Sequence, residues 1–557
     1  MGFRDAQIAF AGHNRATHIG NRKAAEAGLA AGFALLGKTE LASPRLLTGL
    51  ADGADVLAVA AWRKAGLGPI HAVYPFLTDT PPDEPPEGVE TATWIDGAAL
   101  EAAGSSAHLA QTRWLIAAAD LLVVLWDGKA GRGAGGTADA VRLALDAGVA
   151  VLWIEPDRDA APRLISPPAS SRDYDFMELL EQLDRGLDRV APPATAKAIS
   201  AALTARGFDE AESVTAFPEP SGLDRLLHTT LWRTYAVFRR VLGGSVRGGI
   251  PAIPPPADLL AAPGFEALTA AYIVADRQAD QLASIHRSQQ LLLLAAAVLA
   301  TAIGVSPAVW PQIKIYAVLS ELTLALIALA VWSGAERASR HERWGVARRL
   351  AEQLRLERAA WALGLSSVED ADGLGPAVRT ARAVRRRSGL ASGAFDAQRV
   401  SRWGGWAIDE LLTSQAAYHK RQGHRNEVID HRIHAGENLS FAVFVVCLAA
   451  FAIAHEAARV ADFELPHWLG GAVLMLSAII PAIGAAGLAL EANLGFREQS
   501  ERSHFLAERL ITIRASLSKA PRLDELQRAA KEAIRLHNSR EDRWGAEAAR
   551  RRLLRGG

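Results

Sequence analysis

Three glycine-bearing loops in the first 140 residues have the types and spacing for phosphate chemistry. Each follows an apolar run of strand length: Gly12-His13-Asn14-Arg15, Thr48-Gly49-Leu50-Ala51-Asp52-Gly53-Ala54-Asp55, and the loop Asp127–Gly136, whose Gly131, Gly133, Gly135 and Gly136 lead into Thr137 and Asp139. Glycine lets a backbone come close to a phosphate, and the first amides of the following helix supply donors at the positive end of its dipole. One such loop is commonly no more than a turn. Three at the same edge of one sheet argue for a ligand. The chain holds no nucleophile–base pair and no metal-ligand spacing that argues for catalysis. Binding without turnover is therefore the better-supported reading.

The loops need a scaffold, and the surrounding pattern provides one. Gln7–Ala11, Arg45–Gly49, Ile70–Pro75, Leu121–Trp126 and Val149–Ile154 read as strands, with helical runs over Asn21–Leu36, from Leu50 to about Lys64, and over Thr137–Ala147. Leu121–Trp126 is entirely apolar, as expected of a strand buried on both faces. Strands alternating with helices imply an α/β, Rossmann-like domain with a parallel sheet. In such a sheet ligands sit outside the carboxyl ends of the strands, where all three loops fall.

At 557 residues the chain has room for several domains. Its 61 basic and 61 acidic side chains balance, so net charge makes no case for nucleic-acid binding. A single cysteine, Cys447, excludes a disulfide framework within one chain. The segment after Glu155 is broken by prolines. Ser221–Leu242 reads as a helix whose Trp232, Tyr235 and Phe238 would pack against the sheet domain, and Gly249–Pro256 reads as a linker.

Four apolar spans follow in two pairs: Leu291–Gly334, interrupted by a short Pro-containing link, then Leu439–Ala454 and Trp468–Leu490. About 20 apolar residues suffice to cross a bilayer as a helix, so the C-terminal half reads as an all-α membrane region with four transmembrane helices in two hairpins. Arginine-rich flanks place the N-terminal domain, the middle segment and the C-terminus on the cytoplasmic side of a multi-pass inner membrane protein. The two blocks repeat one plan, with Ala351-Glu352-Gln353-Leu354 and Ala507-Glu508-Arg509-Leu510 in equivalent places. Arg343, Arg348, Arg349, Arg355 and Arg358 mark the polar face of an amphipathic helix. The seven arginines of Arg379–Arg402 read as a solvated face or a contact with anionic headgroups. Glu321 lies about 9 Å into the second span. It is either a pore-lining or gating group in a homo-oligomer or an acid snorkelling to the interface. Pro481 in the fourth span is a kink or a hinge.

Ala11-Gly12-His13-Asn14-Arg15, Thr48 through Asp55, and Gly135-Gly136-Thr137-Ala138-Asp139 resemble the motifs of the SLOG superfamily, Rossmann-like domains that include DprA and the LOG phosphoribohydrolases. The resemblance covers about residues 5–156. It implies that a nucleotide-derived ligand contacts Gly12, His13, Arg15, Gly49, Asp52, Gly53, Asp55, Gly135, Gly136, Thr137 and Asp139, with Arg15 and Thr137 on phosphate. The enzymatic members carry a Gly-Gly-x-Gly-Thr-x-x-Glu pattern. Here Ala134 replaces its second glycine and Ala140 its glutamate, which weighs against hydrolase chemistry. Asp139, one position early, is a ligand contact or a carboxylate stabilising its helix dipole. Tyr272, Asp276, Arg277, Asp280 and Arg287-Ser288 before the first span resemble a SLATT domain, as do His341, Trp344, Arg348, Glu352 and Leu354 after the second. SLATT domains are two-span membrane effectors of prokaryotic conflict systems.

These resemblances imply a nucleotide-binding domain at 1–160, a helical extension and linker at 161–262, SLATT-like hairpins at 263–366 and 425–520 separated by an Arg-rich segment at 367–424, and a C-terminal helix at 521–557. The function implied is a membrane-anchored sensor–effector that disrupts membranes in antiphage defence, with a nucleotide-derived small molecule and the lipid bilayer as partners and no metal or other cofactor. The alternative is a membrane-tethered phosphoribohydrolase.

Overall fold

The computed structural model describes residues 6–12, 19–39, 41, 43–77, 85, 87–131, 134–157, 160–167, 175–185, 187–205, 233–243, 253–337, 340–367, 375–462 and 464–553. His13 and Arg15 therefore lie outside the described residues, as does Trp232.

Eight strands form one sheet: β1 (Gln7–Gly12), β2 (Arg45–Thr48), β3 (Ile70–Tyr74), β4 (Thr91–Ile95), β5 (Leu121–Leu125), β6 (Ala150–Ile154), β7 (Arg163–Ile165) and β8 (Gly393–Phe395). Their order is β7-β6-β5-β1-β2-β3-β4-β8, parallel except for β7, which runs antiparallel at one edge. β5 and β6 are buried throughout. Chain order reverses at β1, which pairs with both β2 and β5. That reversal opens a crevice at the carboxyl ends of β1 and β5. The five strands read from the sequence are all present. β4, β7 and β8 are additional, and β8 comes from the far side of the first membrane hairpin.

The helices α1 (Arg22–Gly37), α2 (Ala54–Lys64), α3 (Gly97–Ala102), α4 (Ala107–Ala118) and α5 (Thr137–Asp146) connect the strands, and α6 (Phe176–Arg185) and α7 (Ala196–Ala205) follow them. One face of the sheet is covered by α1, α2 and α7, through Leu29, Phe33, Trp62, Ile199 and Leu203. The other is covered by α4 and α5 and, beyond them, by helices of the C-terminal half: Leu47, Val73, Ile95 and Trp114 share a core with Phe265, Trp361, Phe395 and Trp403.

That half contains α8 (Thr234–Leu242), α9 (Pro263–Val305), α10 (Lys314–Arg337), α11 (Arg340–Ala362), α12 (Pro376–Ser388), α13 (Gln415–Val460), α14 (His467–Leu494), α15 (Phe496–Ala515) and α16 (Leu523–Leu553). Four of them, α9, α10, α13 and α14, are long and apolar enough to cross a membrane. In the most apolar 18-residue stretch of each, at most 6% of the residues are buried by the rest of the chain, which is compatible with contact with a lipid bilayer. α9 packs on α10 and α14, and α14 packs on α13, which makes a row with α10 and α13 outermost. In each block the outgoing helix packs along the incoming one, α11 on α9 and α15 on α13. Leu354 and Leu510, equivalent in sequence, are both fully buried.

Two expectations change. Tyr235 and Phe238 pack at the membrane helices instead of the sheet: the Arg287 guanidinium lies 5.1 Å from the Tyr235 ring centre, and Phe238 stacks 6.3 Å from Phe496. The arginine-rich stretch is also partly interior. Arg355, Arg358, Arg385 and Arg386 are at most 7% exposed, and each meets a specific partner. Arg385 Nε lies 2.7 Å from the fully buried Glu357, whose other oxygen accepts from the Ser367 amide and hydroxyl. Arg386 pairs at 3.4 Å with Asp120, which also accepts from the Gln7 amide. The Arg358 guanidinium lies 4.9–5.6 Å from the ring centres of Tyr272, Phe265 and Trp406. Helical periodicity marks a charged face but not what covers it.

Removing one member of a buried pair strands the other, at a cost of about 3–5 kcal/mol. Glu357→Ala should therefore lower the thermal midpoint of the detergent-solubilised protein by many degrees, and Glu357→Leu/Arg385→Met should recover most of the loss. A second expectation concerns residues 1–248 expressed alone. Without β8, Phe265, Trp361 and Trp403 the second face is left only partly covered by α4 and α5, so the fragment should bind a hydrophobic dye and elute as aggregates in gel filtration. A monodisperse, dye-negative fragment would contradict the shared core.

Candidate functional site

The crevice is occupied by a cavity of about 690 Å³, within the range of small-molecule pockets. Its wall is made by Gly12 at the end of β1, Gly49 after β2, Asp55 on α2, Tyr74 and Pro75 at the end of β3, Trp126, Asp127 and Lys129 to Gly131 after β5, and Ala134 to Ala138 at the start of α5. Six of the residues singled out from the sequence thus converge: Gly12, Gly49, Asp55, Gly135, Gly136 and Thr137. Asp52, Gly53 and Asp139 are not part of the lining.

Asp139 turns back on its own loop. Its Oδ2 accepts from the Gly135 amide at 2.8 Å and its Oδ1 from Arg142 at 3.1 Å. The loop is shaped by Gly135, at φ +83°, where a Cβ would stand 2.4 Å from the Leu109 amide nitrogen. Only glycine combines that backbone conformation with so close an approach to α4. α5 then begins at Gly136 with no side chain capping its first amides, whereas α1 and α4 are capped by Asn21 and Ser106. The uncapped amides of α5 belong to residues in the cavity wall, where an anion would satisfy them.

One wall has no counterpart in the sequence reading. α4 brings His108, Gln111, Thr112 and Leu115 to the cavity. Gln111 Nε2 donates to the Val73 carbonyl at 2.7 Å, and Thr112 Oγ1 donates to the His108 carbonyl at 2.9 Å and lies 3.3 Å from the Gly135 carbonyl. The available signal was Ser106, a helix-capping residue immediately before an apolar-periodic run. Lys129 was also missed. It is held by an Asp127 turn, Lys129 N to Asp127 Oδ1 at 3.1 Å, and by Trp126, whose indole donates to the Lys129 carbonyl at 2.9 Å. It carries the only full positive charge among the described lining residues, alongside the carboxylates of Asp55, Asp127 and Asp157.

Among the described lining residues, Asp55 has the most strongly altered environment. It is 5% exposed, and its Oδ1 accepts from the Thr48 hydroxyl at 2.7 Å and the Gly49 amide at 3.1 Å. Burial pushes its carboxyl up to about 6, against the pull of those hydrogen bonds. At the far edge of β3, His71 behaves oppositely. Burial, and then Arg45, push its imidazole down to about 3. Thr93 Oγ1 donates to the Ala391 carbonyl, so it must accept from His71 Nε2–H, leaving Nδ1 to accept from Thr91. This neutral imidazole ties β3 and β4 to the segment leading into β8.

The cavity also touches the membrane half through α4. Trp114, on the same helix as Gln111, packs edge-on against Phe395 at 4.5 Å; Phe395 meets Trp403, Trp403 stacks on Trp361, and Trp361 meets Phe265 near the start of α9. Gly364, at φ +66°, passes beneath Trp114 so closely that a Cβ would lie 2.0 Å from the ring. Farther along the spans, Glu321 sits on α10 against Gly304 of α9, where a Cβ would stand 3.0 Å from its carboxylate. In the second hairpin, Glu437 faces Gly487 in the same manner. Among the described residues no cluster of three His, Cys, Asp or Glu side chains is placed to hold a metal ion.

No protein-family model matches this chain, and no curated protein matches it either.

The raised Asp55 carboxyl has a definite pH signature. The folded state holds its proton more tightly than the unfolded chain, so the associated stability is complete below about pH 4 and lost as pH rises through about 6, amounting to about 3 kcal/mol. Asn keeps the oxygen that accepts from Thr48 and Gly49. Asp55→Asn should raise the thermal midpoint near pH 8 and leave it unchanged near pH 4. Since His71 contributes the opposite slope below about pH 6.5, the measurement is the difference between variant and parent across pH.

Proposed function

We propose that this protein is a membrane-anchored sensor–effector: the glycine-loop cavity binds a nucleotide-derived ligand, and binding changes the packing of the four apolar helices towards a permeable state. The observation that carries the reading is the continuity of the core. α4 contributes both to the cavity wall and to the aromatic contacts that reach α9 and α11. A ligand with different affinity for two arrangements of α4 would bias the helices attached to it.

Several observations support the parts. The uncapped start of α5 and the 690 Å³ volume suit a nucleotide phosphate and base. Ala140, where the enzymatic SLOG members have glutamate, is in the lining without an acid, in keeping with binding without turnover. The arginine-rich flanks favour a cytoplasmic N-terminal domain, middle segment and C-terminus. Glu321, an exposed acid at the α9–α10 seam, is unfavourable in lipid, which supports assembly of copies around it. The SLOG and SLATT resemblances extend the reading to defence against phage by membrane disruption.

The test begins with a panel of nucleotides screened for thermal stabilisation of the full-length protein; a ligand at a hundred times its Kd adds about 2.7 kcal/mol. Vesicles containing the protein should then release dye when that nucleotide is added. Phe395→Leu, which thins the aromatic contact, should keep the thermal shift and reduce leakage several-fold. Saturating ligand without leakage would sink the effector reading, and steady consumption of the nucleotide would replace it with the hydrolase.

A further inference from the structure

A second, smaller cavity of about 210 Å³ lies where five helices meet: α8, α9, α11, α13 and α15. Four of these lead into or out of the membrane spans: α9 into the first, α11 out of the second, α13 into the third and α15 out of the fourth. The cavity thus touches the sheet-proximal ends of both hairpins. Arg287 stands one helical turn, about 6 Å along the axis, before Leu291, where the apolar run of α9 begins.

The lining is strongly cationic. Arg239, Arg287, Arg348 and Arg502 contribute guanidinium groups, and Asp280 is the single lining carboxylate among the described residues. Two of the four are paired along their own helices, Arg348 with Glu352 and Arg502 with Glu498. Arg287 is held between the rings of Tyr235 and Trp344, at 5.1 and 5.5 Å from their centres. Aromatic faces orient a cation but bring no full counter-charge. Arg239 has another cation for a neighbour: burial and then Arg239 hold the Arg425 guanidinium below its ordinary range. Neither Arg239 nor Arg287 has a carboxylate at ion-pair distance among the described residues. Like charges gathered behind partly apolar walls repel more strongly than in water, and four helices that must stay together are carrying them.

We propose that this cavity is a second ligand site, which takes a phosphate-bearing anion and clamps the sheet-proximal ends of the two hairpins together. Guanidinium groups recognise phosphate through paired N–H donors, and Tyr418 and Gln422 add neutral polar contacts. The volume is below that of a drug-sized pocket and suits one or two phosphate groups. The phosphate has two possible sources: the headgroup of an anionic lipid in the adjoining leaflet, or a free solute. The inference is independent of what the glycine-loop cavity binds.

Full-length protein in nanodiscs, at matched ionic strength, distinguishes these sources by thermal unfolding. One arm adds millimolar inorganic pyrophosphate to neutral-lipid discs; the other replaces part of the neutral lipid with phosphatidylglycerol. The expected result is a rise of several degrees in at least one arm, lost in Arg239→Gln/Arg287→Gln. That variant, with the repulsion relieved and no anion, should unfold no earlier than the parent. A rise in the pyrophosphate arm identifies a free anion, and a rise confined to the phosphatidylglycerol arm identifies a headgroup. Gln499→Glu, which puts a carboxylate in the lining on the first turn of α15 where the helix dipole favours it, should weaken the same rise and decides the matter alone if the arginine variant fails to fold. No rise in either arm, or a rise that the arginine variant leaves intact, overturns the proposal.

Discussion

A parallel sheet must be covered on both faces, and the N-terminal 200 residues cover only one of them fully. α1, α2 and α7 close the first face. On the second, α4 and α5 leave space that Phe265, Trp361, Phe395 and Trp403 fill. Those residues lie on either side of the first membrane hairpin, and β8 completes the sheet edge from beyond it. The sheet therefore cannot be finished until the chain has passed through two spans, and contacts so distant in sequence form slowly. The sheet is bound to the apolar helices by packing as well as by chain connection.

Buried charge makes that packing specific. The Arg385–Glu357 and Arg386–Asp120 pairs add little net stability over well-packed apolar side chains. Their partners are nevertheless particular: Asp120 and Gln7 stand at the amino ends of β5 and β1, so α12 has one register in which Arg386 is satisfied. The ends of the sheet are thus used differently. The amino ends bind the rest of the chain, while the carboxyl ends are left open as the cavity. The loop glycines keep the open end free of side chains, and Asp139 is consumed in holding the Gly135 turn.

How much of this could be read beforehand depended on whether the signal was local. Runs such as LLVVL and AVLWI announce buried strands by themselves, and β1, β2, β3, β5 and β6 fall within a residue or so of their expected ends. β4, TATWI, follows a proline-rich stretch and carries two threonines, and β8 is three residues long. Neither has enough apolar length to stand out. The glycine loops were legible because turn chemistry is written in the residues that make it. The α4 wall and Lys129 were not, because their place comes from tertiary packing. The arginines of α11 and α12 were misread for the same reason, since charge periodicity is identical whether a face meets water, lipid or a buried glutamate.

The 43-residue α9 has no break between its proline start and Val305. At 1.5 Å per residue it is a rod of about 65 Å. Phe265, near one end, sits in the aromatic core that reaches α4, and the other end carries the turn that abuts Gly471 of α14. A rod pivoting near its base magnifies displacement in proportion to distance, so a tilt of about 5° moves the far end by about 6 Å over that length. One unbroken helix therefore spans the distance from the aromatic core beside the sheet to the distal turn, and any change of its tilt at the base is expressed most strongly at that turn.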